Sequence, residues 1–263
     1  MARRQFLIDE FKALRKSYRA PKYPIFLCHG LFGFDTLRFP GGKLDYWYNI
    51  PETLEKYGAK VEVGRVPPVA SIHDRAQILY DSISGKEELR KVNLIAHSMG
   101  GLDARYLIAK LAAKRIQVLS LTTISTPHHG TSAADVFFDV TSKLPTAFGA
   151  LAQLSTTSMA EFNKNVLDDP TVKYFSYGAR FFPNWVSWLR VPWGIIYRKE
   201  GDNDGLVSCK SAEWGEYQGT LDNCDHWDVI NLTHLKPRAL RNAQFHAPLM
   251  YLHVMDQLSA HGF

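Results

Sequence analysis

The sequence predicts an α/β fold, in which a mostly parallel central sheet is covered by helices on both faces. Three features of the chain favour this class. Continuously apolar runs such as Tyr23–Cys28 are typical of strands that are buried on both faces. These runs alternate with segments of helical periodicity, which is the pattern of parallel strands joined by right-handed crossovers. The chain of 263 residues has the length of one large domain of this kind.

The first 22 residues predict a basic amphipathic helix. Its apolar stripe consists of Leu7, Phe11, Leu14 and Tyr18. The segment holds seven basic and two acidic residues, so it carries the whole net charge of +5 of the chain. Such a helix can lie on an anionic membrane, act as an import signal or pack against its own domain. The neutral remainder of the chain argues against a nucleic-acid-binding protein.

The single domain that follows, residues 23–263, alternates strands and helices. Predicted strands lie at Tyr23–Cys28, Lys60–Val66, Val92–Ala96, Val118–Ile124 and Val172–Tyr177. Ser71 is a candidate N-cap of a helix that extends to Ser84. A second helix ends near Lys114, and the final helix begins near Pro237. Because parallel strands end at the same sheet edge, we expect the loops that follow them to form the functional site.

The stretch 92–105, VNLIAHSMGGLDAR, predicts a strand, a sharp turn at Ser98 and a helix. A serine at the tip of such a turn has a strained backbone. Its neighbours two positions away must be small, because strand and helix pass close to each other there. Ala96 and Gly100 meet this need. Ser98 is therefore a candidate nucleophile, and a Ser-Gly-Gly loop without chemistry is the alternative.

A serine nucleophile needs a base, and the base needs a carboxylate that fixes its tautomer. Asp204 precedes His226 in the loops of the same predicted edge, which gives the chain order serine, aspartate, histidine. Asp202 competes with Asp204 as the acid. The competing histidines at this edge are His29, His97, His128 and His129. For the oxyanion, the candidate donors are the backbone N–H groups of Leu31 and Met99.

Two further segments bear on the substrate. Residues 131–170 contain no clear strand and predict helical pieces, which form either a lid over the site or ordinary packing. Residues 181–197 are denser in aromatic side chains than the 13% of the whole chain. This segment is interpreted either as a lipid-facing or acyl-binding surface or, with equal weight, as core.

The three cysteines predict no dense disulfide framework. Cys28 lies in an apolar run and is expected to be a buried thiol. Cys209 and Cys224 lie in loop-rich sequence and could pair, and their spacing matches no zinc pattern. No apolar run reaches the roughly 18 residues of a transmembrane helix, and no classical secretory signal is visible.

Five motifs carry a resemblance to a known family: FLCHGLFGFD (26–35), NLIAHSMGGLDARYL (93–107), STPHHGTS (125–132), GDNDGLVS (201–208) and CDHWD (224–228). In this order they resemble the α/β-hydrolase triacylglycerol lipases. The bacterial lipases of Pseudomonas and Burkholderia share the order. The fungal intracellular lipases similar to the yeast mitochondrial triacylglycerol lipase look closer still.

The resemblance implies an α/β-hydrolase fold with a helical, lid-like insertion at 131–170. It implies Ser98 as the nucleophile, Asp204 as the acid and His226 as the base, with the N–H groups of Leu31 and Met99 as oxyanion donors. The residues assigned to substrate binding are Phe32, His97, Phe137 and Phe148.

The resemblance also bears on metals, because the bacterial enzymes bind a structural calcium near the histidine loop. Asp228 matches one of the calcium ligands, but Leu232 stands where a glutamine is expected. One carboxylate does not make a Ca²⁺ site, so we expect no metal and no organic cofactor. The bacterial disulfide is not expected either, because only Cys209 falls near one of its positions.

The expected activity is hydrolysis of acylglycerol esters through an acyl-enzyme at a lipid–water interface. The alternatives are an acyltransferase or phospholipase with the same triad, and a non-catalytic lipid-binding protein on a hydrolase fold. The helix 1–22 is a candidate for peripheral membrane contact. For the compartment, we expect an intracellular protein, mitochondrial or lipid-associated, with secretion after loss of a signal as the alternative.

Overall fold

The structure of the protein is a computed structural model, which describes residues 15, 17–31, 36–39, 42–112, 115–141, 149–236 and 245–263. In chain order the strands are β1 (Ile25–Cys28), β2 (Thr36–Phe39), β3 (Gly42–Asp45), β4 (Val61–Val63), β5 (Lys91–His97), β6 (Gln117–Ile124), β7 (Lys173–Ala179) and β8 (Glu216–Leu221). Six of them form a parallel sheet in the order β4-β1-β5-β6-β7-β8. The remaining two, β2 and β3, pair as an antiparallel hairpin. All five predicted strands are present, whereas β8 and the hairpin were not predicted.

The helices connect the strands and cover both faces of the sheet. In chain order they are α1 (Ile50–Lys56), α2 (Ile72–Ser84), α3 (Gly100–Tyr106), α4 (Ser132–Thr141), α5 (Gly149–Ala152), α6 (Thr156–Asn165), α7 (Arg190–Lys199), α8 (Cys209–Ala212) and α9 (Ala247–Ala260). The predicted cap is confirmed, because the Ser71 hydroxyl accepts the N–H of Asp74 at 3.1 Å. A π-helical segment, Leu107–Leu111, continues α3.

The prediction for the final helix is wrong at its start. The helix begins at Ala247 instead of near Pro237, and residues 237–244 lie outside the described part of the chain. Pro248 stands in the first turn of the observed helix. Proline is favoured in the first turn of a helix, so Pro248 is the start signal of the observed helix.

Strand β1 shows how the core is divided between the two faces of the sheet. Ile25 and Leu27 pack into a cluster that includes side chains of α1 and α9. Phe26 and Cys28 point the other way, into a cluster with side chains of α2 and α3. Each fully buried Leu, Ile or Phe contributes roughly 1.5–3 kcal/mol to folding. The continuous apolar run of β1 is thus explained by burial on both faces.

The insertion consists of helices in its described residues, as predicted. Helices α4, α5 and α6 lie in it, and residues 142–148 are outside the described part. Met159 of α6 and Ala134 of α4 share a small apolar cluster with Met99 and Leu102, which follow the candidate nucleophile. The insertion therefore packs against the helix that leaves the predicted turn.

The predicted N-terminal helix lies mostly outside the described residues. Residues 17–22 are described and contain no helical turn, so the helix does not extend to residue 22. Tyr18 is buried and packs edge-on against Tyr57 and His253, with ring centroids 5.5 Å from each. Arg19 bonds to Asp256 of α9 through its backbone N–H at 3.0 Å. This end of the segment packs on its own domain. Among the described residues, no helix is long and apolar enough to cross a membrane.

Candidate active site

Ser98 occupies the tip of the turn between β5 and α3. Its φ is 56°, in the left-handed region that few residues other than glycine adopt. A Cβ added to Gly100 would lie 2.5 Å from the carbonyl oxygen of Cys28, so this neighbour has to be glycine. Ala96, in contrast, is fully buried in strand β5 without disturbing the turn. The strand–turn–helix geometry that the sequence predicts is present.

The predicted acid and base are hydrogen-bonded to each other. His226 Nδ1 lies 2.8 Å from Asp204 Oδ2, and both side chains are buried. The other carboxylate oxygen, Asp204 Oδ1, accepts the N–H groups of Leu206 at 3.0 Å and Val207 at 2.8 Å. The N–H of His226 donates to the carbonyl oxygen of Asp204 at 2.9 Å. The carboxylate is therefore fixed on both sides, and it holds the Nε2 atom of His226 in one direction.

Asp202, the competing candidate for the acid, has a different partner. Its carboxylate lies 2.7 Å from Arg180 Nη1, and Arg180 Nε also binds Asp222 at 2.8 Å. These contacts direct the side chain of Asp202 to the end of β7. Of the two aspartates, Asp204 is the one that contacts His226.

The histidine loop reaches the turn of Ser98 through His97. The rings of His97 and His226 are 4.5 Å apart, and His97 directly precedes Ser98. Among the described residues, no hydrogen bond joins Ser98 Oγ to His226 Nε2. Such bonds are often long in free enzymes and shorten when substrate binds.

The turn after β1 lies directly against the candidate nucleophile. A Cβ added to Gly30 would be 2.7 Å from Ser98 Cβ and 3.2 Å from Ser98 Oγ. The carbonyl oxygens of His29 and Gly30 accept Arg75 Nη2 at 2.7 and 3.2 Å. In the described residues, the N–H groups of Leu31 and Met99, the two predicted oxyanion donors, have no protein acceptor.

Arg75 itself is held by a buried ion pair. Its Nε donates to Asp103 Oδ2 at 2.8 Å, and neither side chain is exposed. Burial raises the pKa of Asp103 to about 6, and the Arg75 charge opposes this shift. Asp103 belongs to α3, so the ion pair ties the turn after β1 to the helix that follows Ser98.

Tyr46 forms a second connection between the same two segments. Its hydroxyl accepts the N–H of Gly30 at 3.0 Å and is hydrogen-bonded to His97 Nδ1 at 2.6 Å. Burial lowers the pKa of His97 far below its ordinary range, and the nearby His226 lowers it further. His97 is therefore a neutral, buried side chain that packs under the site.

The four residues assigned to substrate binding differ in their exposure to solvent, and two of them are not described. Phe137 of α4 is exposed to 41%. Phe32 and Phe148 lie outside the described residues. His97 is fully buried.

Two residues that support the site, Tyr46 and Arg75, were not predicted from the sequence. Arg75 had one usable signal, because a charged residue interrupts the apolar face of the predicted helix between Ile72 and Leu79.

The residues around the histidine loop do not fit a calcium ion. Lys236 Nζ lies 2.6 Å from Asp225 Oδ2 and 2.6 Å from Asp228 Oδ1. An ammonium thus occupies the position between the carboxylates. Burial opposes the charge of Lys236, but the two carboxylates outweigh burial and raise its pKa. Among the described residues, no group of three or more His, Cys, Asp or Glu side chains could hold a metal.

The aromatic segment 181–197 has both exposed and buried side chains, so each interpretation of its sequence applies to part of it. Its exposed large apolar side chains, with exposed fractions, are Phe182 (61%), Trp185 (84%), Val186 (49%), Trp188 (68%), Val191 (69%) and Tyr197 (45%). Leu189 and Ile196 are buried. Trp188 lies near Trp227, with ring centroids 5.8 Å apart, and Trp227 directly follows His226. The exposed surface therefore borders the candidate base.

All three cysteines are free, which corrects the expectation that Cys209 and Cys224 could pair. Cys28 is a buried thiol, as predicted. Burial also raises the pKa of Cys209 to about 12. None of these thiols is positioned as a nucleophile, because burial disfavours the thiolate.

The chain is similar in sequence to known lipases over most of its length. A family model described as a PGAP1-like alpha/beta domain matches residues 69–167. Triacylglycerol lipase 2 of Saccharomyces cerevisiae is 37% identical to 86% of this chain and 85% of its own length. A triacylglycerol lipase of Burkholderia plantarii is 38% identical to 82% of this chain and 80% of its own length.

Solved structures show the same fold at lower identity. The lipase of Staphylococcus hyicus covers 94% of this chain and 97% of its own, with a TM-score of 0.70 and 19% identity. A metagenomic carboxyl esterase covers 95% of this chain and 79% of its own, with a TM-score of 0.75 and 17% identity. At these identities the likeness shows the fold alone.

Proposed function

The chain belongs to the family of the triacylglycerol lipases, which are α/β-hydrolase enzymes, and we propose that it cleaves acylglycerol esters with Ser98, His226 and Asp204. The observation that carries this assignment is the buried hydrogen bond between His226 Nδ1 and Asp204 Oδ2. The ring of His226 packs against His97, which precedes Ser98 and its left-handed backbone. In this fold the three residues follow each other in the order of a catalytic triad.

The proposed reaction has two halves. In the first, Ser98 Oγ attacks the ester carbonyl carbon while His226 Nε2 takes the hydroxyl proton. The bond to the leaving alcohol then breaks, and His226 returns this proton to the alcohol oxygen. In the second half, water attacks the acyl-enzyme, its proton passes through His226 to Ser98, and the fatty acid leaves. Asp204 holds the tautomer of His226 and stabilises its charged form.

The N–H groups of Leu31 and Met99 are proposed to bind the oxyanion in both halves. Met99 follows Ser98 and Leu31 follows Gly30, which lies against Ser98, and neither N–H has a protein acceptor in the described ranges of the chain. Loss of one such donor in other hydrolases lowers kcat by about 10²–10³. The contacts of Arg75 with the carbonyl oxygens of His29 and Gly30 support this role, because they fix the turn from behind.

For the substrate, we propose an acyl chain bound along the insertion and a lipid surface bound by the aromatic segment. Met99 shares an apolar cluster with Ile72 and Met159, and a groove lined by Ile72, Met159 and Phe162 opens to solvent there. The exposed side chains of 182–191 form an apolar surface next to the histidine loop. Such surfaces on monomers are typical of interaction sites.

The N-terminal residues are a second proposed contact with lipid. Residues 1–22 carry the whole net charge of the chain, which favours anionic membranes. Deletion of residues 1–14 is expected to weaken binding to anionic liposomes, and unchanged binding would contradict this contact. We propose an intracellular location, at mitochondria or in association with lipid, which fractionation of cells tests directly.

The first experiment measures hydrolysis of p-nitrophenyl esters from acetyl to palmitoyl. We expect the highest kcat/KM with medium or long chains, and no activity above background for Ser98→Ala. Ser84→Ala, at the far end of α2, is the matched control and should retain full activity. Activity that survives in Ser98→Ala would contradict the proposed triad. Product analysis with added glycerol or phosphatidylcholine separates the lipase from the acyltransferase and phospholipase alternatives.

A further inference from the structure

Lys236 is buried against the loop that carries His226. Its Nζ lies 2.6 Å from Asp225 Oδ2 and 2.6 Å from Asp228 Oδ1, while 18% of its side chain is exposed. The side chains of Asp225 and Asp228 are exposed to only 8% and 3%. Two adjacent buried carboxylates repel each other and are costly without a counter-charge. The ammonium of Lys236 supplies that charge from within the chain.

The same two carboxylates organise the backbone on both sides of His226. Asp225 Oδ1 accepts the N–H groups of Trp227 at 3.0 Å and Asp228 at 3.1 Å. Asp228 Oδ2 accepts the N–H of Asp225 at 3.1 Å. Each carboxylate thus uses one oxygen for the loop and the other for Lys236. The backbone from which the His226 side chain extends is therefore bonded to the same two carboxylates that Lys236 bridges.

One further bond connects this set to the following turn. The hydroxyl of Thr233 donates to Asp228 Oδ1 at 2.8 Å, the same oxygen that Lys236 contacts. A calcium ion takes about 6–8 oxygen ligands. At this position it would have to displace an ammonium that already binds both carboxylates.

We propose that the ammonium of Lys236 is the permanent cation of the histidine loop, and that it positions His226 by bridging Asp225 and Asp228. It performs the task that a bound divalent cation would perform between two such carboxylates. Lys236 is a positioning residue, since it reaches the reaction only through His226. This inference rests on the proposed function of His226 as the base.

The test compares Lys236→Met with Lys236→Arg on a soluble p-nitrophenyl ester. kcat is expressed per serine that reacts with a phosphonate, so that unfolded protein is not counted. Lys236→Met is expected to lower kcat about tenfold or more with KM within about twofold, because the base moves while the acyl groove is untouched. Lys236→Arg should retain kcat within about threefold, because a guanidinium can donate to both carboxylates.

Controls separate this role from general effects of charge. Lys86→Met removes a lysine that pairs with Glu62 at 2.7 Å, away from the site, and should leave kcat unchanged. Wild-type kcat should be the same in EDTA and in added Ca²⁺. If Lys236→Met does not fold, the double variant Asp225→Asn with Lys236→Met is measured instead. It keeps only one of the two carboxylates that Lys236 bridges, and we expect the same fall in kcat.

Two results would overturn the inference alone: a kcat within about twofold of wild type for Lys236→Met, or a wild-type activity that EDTA removes and Ca²⁺ restores. If the wild type hydrolyses no ester, or Ser98→Ala is equally active, the proposed function fails and this inference fails with it. The two kinds of failure are therefore distinguishable in one set of assays.

Discussion

Arg75 Nη2 donates to the carbonyl oxygen of Gly30 at 3.2 Å, from the side of the turn opposite to the N–H that follows. In a trans peptide the C=O and N–H groups point in opposite directions. Since the described residues contain no cis peptide bond, this contact directs the N–H of Leu31 away from Arg75. Arg75, a buried residue of α2, thereby contributes, with His29 Nδ1 at 3.0 Å from the same carbonyl oxygen, to the direction of a proposed oxyanion donor.

The first prediction separates the effect of Arg75 on the direction of the Leu31 N–H from its effect on the stability of the fold. Arg75→Met leaves Asp103 buried without a partner, which should cost about 3–5 kcal/mol of unfolding free energy. Arg75→Met combined with Asp103→Leu should recover most of that stability, because an apolar pair needs no counter-charge. We expect kcat to stay at least about tenfold low in both variants, since neither retains the guanidinium that binds the carbonyl oxygens of His29 and Gly30. Urea unfolding and ester hydrolysis measure the two effects, and wild-type kcat in the double variant would contradict the role of Arg75.

The second prediction concerns the space around the turn of Ser98. A methyl group at Gly100 would lie 2.5 and 2.7 Å from the carbonyl oxygens of Cys28 and His29, which are backbone atoms. Gly100→Ala should therefore destabilise the fold by about 3 kcal/mol and abolish hydrolysis. Gly194→Ala in α7 is the control, because nothing lies within 4 Å of the added Cβ. It should be neutral or up to about 1 kcal/mol more stable by thermal unfolding.

The third prediction tests the exposed aromatic surface. Trp185→Ser removes a side chain that is 84% exposed, so stability and hydrolysis of a soluble butyrate ester should not change. We expect activity on emulsified triacylglycerol to fall several-fold, because less apolar area adsorbs to the lipid. Leu167→Ser, which removes an apolar side chain that is 70% exposed elsewhere, should leave both activities unchanged. Equal losses for the two variants would argue against a specific lipid surface.

The fourth prediction is a pH dependence of stability. Burial lowers the pKa of His128 well below its ordinary value of 6.5, and the charges of Arg105 and His129 lower it further. The unfolded chain binds a proton at this residue below pH 6.5 and the folded chain does not. Stability from this residue is therefore present above pH 6.5 and decreases as the pH falls, by at most about 1.4 kcal/mol per pH unit. His128→Asn should flatten the wild-type curve between pH 6.5 and 5 by this amount. An unchanged slope would show that His128 takes up a proton in the folded state.

The sequence pattern was sufficient to predict the elements whose contacts join residues that are close together along the chain. The Ser71 cap, the buried strands and the turn at Ser98 each depend on residues within a few positions of one another. The pair of Asp204 and His226 was also predictable, because parallel strands bring their loops to one edge in a fixed order.

The supporting contacts could not be predicted, because they join residues that are far apart along the chain. Tyr46 meets His97 across 51 positions, and Arg75 meets Asp103 across 28. Nothing near either residue in sequence indicates which partner it finds. Lys236 lies eight positions from Asp228, but the turn that brings them together has no periodic pattern.

The turn of Ser98 has no free space for additional side-chain atoms. Positions beside this turn therefore tolerate substitution less well than exposed positions do. A Cβ at Gly30 would press on the Ser98 side chain and one at Gly100 on the carbonyl oxygen of Cys28, so a larger residue at either position disturbs the turn. The exposed positions between 182 and 191 carry no such constraint. A library randomised at those positions is therefore expected to alter the proposed lipid contact without altering the proposed triad.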